Sequence, residues 1–167
     1  MLYGVMVALV LAWVGTGWGA TKGALTSLRG LAGVEVVVES LDPEAEQDGL
    51  HNSQLQTDIE LRLRKVGIKV ESGPKALNIP GMPTLYVNIN TIKKESGSYA
   101  YRVDVELQQS VILDRNRSLI IMSATTWNTG MLGMVGSNNM PATVREAVGD
   151  LVDKFINDFL AENPVKR

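Results

Sequence analysis

The side chains able to do chemistry in this chain gather in a few short stretches. Asp42, Glu44, Glu46 and Asp48, followed by Gly49, set carboxylates at alternate positions, as a calcium loop does. A calcium template starting at Glu44 requires a bidentate glutamate at its twelfth place, where Leu55 stands, and a helix in front of the loop. The stretch reads instead as an acidic, solvated turn. Residues 128–139 (NTGMLGMVGSNN) put Gly130, Gly133 and Gly136 between an expected strand and an expected helix, where glycine-rich loops cradle phosphate groups. Neither G-x-G-x-x-G nor a terminal G-K-[ST] is present, and no later strand supplies an acidic partner for a ribose. Asp104 and Glu106 stand two apart beside Arg102 and have the residue types of an acid/base pair; cross-strand ion pairing on a wet sheet face accounts for them more simply. His51 is the single histidine, and with no carboxylates spaced on a common face it reads as a surface or capping residue.

Composition removes most other chemistries. The absence of cysteine excludes thiolate nucleophiles, disulfides, zinc ribbons and a lipid-anchored amino-terminal cysteine. One histidine leaves almost no material for a histidine metal site or a histidine-based triad. No catalytic, cofactor-binding or metal-ligating residue is therefore assigned, and no cofactor is expected. Sixteen basic against eighteen acidic residues give a net charge of −2, without the basic footprint of a nucleic-acid binder.

What remains is contact. Met131, Leu132, Met134 and Val135 are apolar, yet they sit among glycines that loosen the backbone, and methionine suits an adaptable grip on a partner or a membrane surface. A flexible connection is the plain alternative for the same stretch. Trp127 either caps the sheet or marks a binding edge. These five residues are the candidate partner contacts.

The elements that must carry them follow from periodicity. Residues 1–20 (MLYGVMVALVLAWVGTGWGA) are uncharged, with an apolar heart over 5–14 and small residues at 17 and 19, the pattern of a signal peptide cleaved near Gly19 or Ala20. Lacking Lys or Arg at its start, the same segment is alternatively an uncleaved anchor in the inner membrane, since about 20 apolar residues span a bilayer. Residues 21–32 read as a linker, and 33–164 as a single domain, for which 45% hydrophobic residues supply a core. Residues 34–39 (VEVVVE) predict a strand. Ser53 with Gln56 makes a capping-box pair opening a helix with Leu55, Ile59, Leu63 and Val66 on one face and Gly67 at its end. A second strand over 68–71 completes a parallel βαβ unit.

After a proline- and glycine-rich loop, strands are expected over 84–92, 98–113 and 118 to about 127, joined by short charged links into an antiparallel meander. In the middle one, Tyr99, Tyr101, Val103, Val105, Leu107, Val111 and Leu113 share a side broken only by Gln109. The last strand is apolar on both sides at its start and so reads as the more central. Residues 141–163 predict a closing amphipathic helix. The fold class is α+β: a two-layer α/β sandwich in the order β-α-β-β-β-β-α, with a mixed five-stranded sheet and two helices on one face.

The strings DIELRLRKVGIKV (58–70), PTLYVNIN (83–90), YAYRVDVELQQSVIL (99–113), ATTWNTG (124–130) and LVDKFINDFLAENP (151–164) together resemble a group of small exported bacterial proteins. The order of elements is more loosely similar to α/β domains of envelope-assembly proteins: the amino-terminal domain of the translocation protein TolB, the curli secretion lipoprotein and the lipoprotein activators of penicillin-binding proteins. The resemblance brings no activity with it, and the looser one is of topology only. The leader, and residues from which no nucleophile, base and orienter can be assembled, lead instead to the expectation of a periplasmic, non-enzymatic module that binds an envelope protein, touching the membrane only through residues 1–20 if these are retained. A small-ligand carrier with a pocket between helices and sheet is the second expectation.

Overall fold

In a computed structural model of the protein, which describes residues 21–164, four strands form one open mixed sheet in the order β1-β2-β3-β4. β1 (Glu35–Val38) runs parallel to β2 (Thr84–Lys93), and β2, β3 (Ser98–Leu113) and β4 (Asn116–Gly136) follow as an antiparallel meander. Four α-helices complete the described chain: α1 (Lys22–Thr26), α2 (Pro43–Gln47), α3 (Asn52–Lys65) and α4 (Met140–Glu162). Among the described residues no helix is long and apolar enough to cross a membrane. The expected leader, residues 1–20, lies outside the described residues.

The core forms where the alternation of the strands meets the apolar stripes of the two long helices. Val36, Leu85, Val87, Ile89, Tyr99, Tyr101, Val103, Val105 and Leu107 are buried with Leu55, Ile59 and Leu63 of α3 and Val144, Val148, Leu151, Val152 and Phe155 of α4. Alternation along β3 holds through Leu107, so the intervening Arg102, Asp104, Glu106 and Gln108 stand on the opposite face. α4 takes Pro141 at its first turn, where a missing N–H costs nothing, and ends before Pro164.

Five expectations fail, each for a local reason. The sheet has four strands, because residues 68–71 contribute only the parallel bridge of Val34 with Val70 before Gly73, at φ 60°, turns the chain into a 3-10 segment (Gly73–Asn78). Residues 21–32 are more than a linker: they carry α1 and sink Leu28 fully into the core. The capping box does not form. His51 occupies the N-cap without a side-chain bond, and Gln56 reaches out of the helix to the Val36 carbonyl at 2.8 Å. Finally, β4 is an edge strand, and residues 128–136 extend it where a glycine loop was expected.

Candidate functional site

β4 disperses the five candidate contacts over both faces of the sheet. Trp127 is 1% exposed; its ring packs edge-on against Phe155 at 5.3 Å, and its Nε1 donates to Asp158 at 2.9 Å. It is a core residue, its indole N–H satisfied by a carboxylate on α4, and no partner can reach it. Met131 and Val135 are half-buried and pack against the core from the same face. Leu132 and Met134 point the other way and are exposed at 79% and 64%. Period-two alternation in a strand makes this split unavoidable, since neighbours in a strand face opposite sides.

The glycines that suggested a loop are strand positions over which β3 side chains lie. Gly133 pairs with Tyr101, and a Cβ there would overlap the tyrosine ring. Gly130 pairs with Asp104, whose carboxylate is 2.5 Å from where its Cβ would be. Glycine here serves close packing within the sheet, the bulk missing from β4 being filled from β3.

On the outer face, away from the helices, the register sets Ile92, Ala100 and Met134 in one row across β2, β3 and β4, with Leu132 beside Arg102 in the next. Ile92, like Leu132 and Met134, is exposed. Farther along, the face turns polar. Asn88 donates to Glu39, and Asn90 donates to Asn88. Arg102 binds Asp104 of its own strand through two bonds of 2.7 and 2.9 Å, and Thr125 donates to Glu106 at 2.8 Å. The expected pairing of these charges across strands is thus replaced by an i, i+2 pair along β3. A hydrogen bond from Tyr86 to Glu39 keeps the phenol in its neutral form and raises its pKa.

The acidic stretch closes as α2 and fastens to β2 instead of surrounding an ion. Asp42 accepts from the backbone N–H and hydroxyl of Thr91 at 3.2 and 2.9 Å. Asp48 accepts from Lys93 Nζ at 2.7 Å and from the hydroxyl of buried Tyr99 at 2.9 Å. The hydrogen bond from Lys93, followed by that from Tyr99, holds the Asp48 carboxyl below its ordinary value. Burial, then the Asp48 hydrogen bond, lifts the Tyr99 phenol above its own. Among the described residues no three acidic or histidine side chains converge as a metal site.

Between α3 and α4 lies a groove of about 990 Å³, with Leu55, Ile59, Val148 and Ile156 along it and no lining residue from the sheet. Two ion pairs join its walls, Arg145 to Asp58 at 2.7 Å and Arg62 to Asp153 at 2.6 Å. Gly149 makes room for the first-wall arginine, since a Cβ there would lie 2.6 Å from Arg62 Nη2. The space is therefore between two helices, whereas the carrier expectation put it between helices and sheet.

The run of consecutive exposed apolar residues at 119–122 is absent from the candidates that the sequence offers. Beyond the Thr84–Gln108 pair β2 ends, and residues 109–113 and 116–124 continue as a two-stranded ribbon. Ile112, Leu119, Ile120, Ile121 and Met122 on it are exposed at 37–61%. The signal is the loss of alternation at residues 119–122, which a central strand and a projecting one share. No protein-family model matches the chain, and no curated protein proved similar to it.

Proposed function

We propose that the protein is a non-enzymatic module of the bacterial envelope, exported by its leader, that binds a protein partner through the outer face and free edge of its sheet. In this reading the domain is a two-layer sandwich: the helix layer is scaffold and the opposite layer is the working surface. The observation that carries it is the exposure of Leu132 and Met134 on an edge strand whose residues 118–136 include no charged side chain. Long uncharged edges are normally guarded by lysine, proline or a covering element, because their unpaired N–H and C=O groups invite another strand. Across Ala100 of β3 the apolar row continues to Ile92 on β2, and a partner strand along β4 would find side-chain contacts in Leu132 and Met134.

A photo-crosslinking residue at position 132 in cells tests the reading. One discrete adduct is expected, lost when Met134→Asp is added while the melting temperature stays within about a degree, as for a solvent-exposed substitution. No adduct at 132, or adducts indifferent to Met134→Asp, removes the assignment. The companion pair Met131→Ser with Val135→Ser faces the core and should lower stability by about 1–3 kcal/mol instead.

A further inference from the structure

The ribbon at the far end of the sheet from Leu132 and Met134 is apolar on both faces. Ile112 pairs with Ile120, and Val111 pairs with Ile121, so adjacent residues put one isoleucine pair on one face and a valine–isoleucine pair on the other. Leu119 alternates with Ile120, adding a further large apolar side chain. A partner strand on the edge would leave both faces in water, and a flat protein surface would cover only one. Hydrocarbon surrounds what it receives, and so is the medium that covers both.

Charge distribution fits the same occupant. Residues 109–113 and 118–124 carry no charge, while the turn at the ribbon's end, Asp114-Arg115-Asn116-Arg117, has two arginines against one aspartate. Arg117 and Asp114 pair at 3.2 Å with both side chains more than 80% exposed, an arrangement that anionic headgroups can exchange for their own contacts. Arginine also extends its guanidinium to the phosphate level from a buried stem.

The path of the chain supplies a third observation. Ser27, just after α1, donates to the Thr126 carbonyl at 3.3 Å, and Gln109 donates to the Ser27 carbonyl and to Thr126 Oγ1. The polypeptide leading out of the uncharged residues 1–20 thus meets the domain at the root of the ribbon.

We infer that the ribbon of residues 109–113 and 116–124 lies in the headgroup–acyl boundary of an anionic lipid bilayer, with Arg115 and Arg117 at the phosphates, and holds the domain against the membrane. The site is separate from the partner surface and at the opposite end of β3 and β4, so one sheet joins a lipid contact to a protein contact.

Since the chain has no cysteine, single-cysteine variants Ile120→Cys and Glu95→Cys of the full-length protein report on the ribbon and on the β2–β3 turn at the other end of the sheet. Each is labelled with an environment-sensitive fluorophore and bound to vesicles of phosphatidylcholine with phosphatidylglycerol. The label at 120 is expected to shift to the blue and to be quenched by a nitroxide on the lipid acyl chain, while the label at 95 stays in water. Arg115→Gln with Arg117→Gln should weaken the quenching on anionic vesicles severalfold and leave that on neutral vesicles unchanged. A label at 120 that remains aqueous on vesicle-bound protein overturns the inference. So does one already shielded before vesicles are added, which would mean that a second copy of the chain covers the ribbon.

Discussion

β1 and β4 are the two edge strands of one sheet, four residues long against twenty-one. The outward carbonyls of β1 are occupied: Gln56 donates to Val36 at 2.8 Å, and Asn52 donates to Val38 at 3.3 Å. The start of the strand is closed by the Val34–Val70 bridge, with Val34 donating to Lys69 and Glu71 donating back to Val34. On β4 the Thr126 carbonyl takes the Ser27 hydroxyl, and an uncharged strand runs on either side of that tie. A short edge whose outward carbonyls are met by helix side chains has little left to offer another strand. A long uncharged edge keeps its hydrogen-bonding capacity for something outside the domain.

The contrast extends to what holds each side in place. The β4 side depends on apolar packing up to Leu107 and Trp127 and then abandons the core, whereas the β1 side is tied by polar contacts from α2 and α3. The largest test breaks β3 on either side of the point where cover ends. Leu107→Ala should cost about 2–5 kcal/mol, since a fully buried leucine leaves a cavity. Ile112→Ala, five residues on and 61% exposed, should stay within about 0.5 kcal/mol. Urea denaturation midpoints at unchanged slope measure both; equal losses would mean that the ribbon is packed and the comparison false.

A smaller effect is expected at the closed edge. Gln56→Leu leaves the Val36 carbonyl without its donor and should cost about 1–3 kcal/mol. Ser27→Ala at the open edge removes a part-buried hydroxyl whose proton is shared between the Ala24 carbonyl at 2.7 Å and the Thr126 carbonyl at 3.3 Å, and should cost less than about 1 kcal/mol. If Ser27→Ala proved the costlier, β4 would be the edge that the fold itself needs closed.

The smallest effect is a matter of pH. Asp48 is held below its ordinary value in the fold, so its contribution is present above the unfolded carboxylate pKa and drains away as pH falls through the folded one. Asp48→Asn should therefore flatten the acid side of the stability profile and leave its slope near neutrality unchanged. An unchanged acid limb would show that the tie between α2 and β2 contributes nothing measurable.

Much of this was written in local pattern. The boundaries of β3, the Tyr99 to Leu107 inner face, the meander, α3 with Leu55, Ile59 and Leu63 inward, and α4 from Pro141 all follow from period-two and period-3.6 repeats, because such repeats state which side of an element avoids water. Gln56 shows where local reading stops. Its spacing from Ser53 satisfies a capping rule, yet the amide bonds to β1, a partner twenty residues away in sequence that only the fold brings near.

The candidate contact site was legible in composition and illegible in geometry. Five apolar or aromatic residues around glycines marked the right strand, but glycine permits a loop and a close-packed strand equally, and Tyr101 lying over Gly133 chose the strand. That choice sends Trp127, Met131 and Val135 toward the core and Leu132 and Met134 to water. For residues 119–122 an apolar run carries the same signal whether a strand is central and covered on both faces or projects and is covered on neither. Sequence determined that these side chains avoid water; only the tertiary structure decided that past Ser110, whose N–H still bonds to the Gly81 carbonyl, Ile112 and residues 119–122 are left exposed.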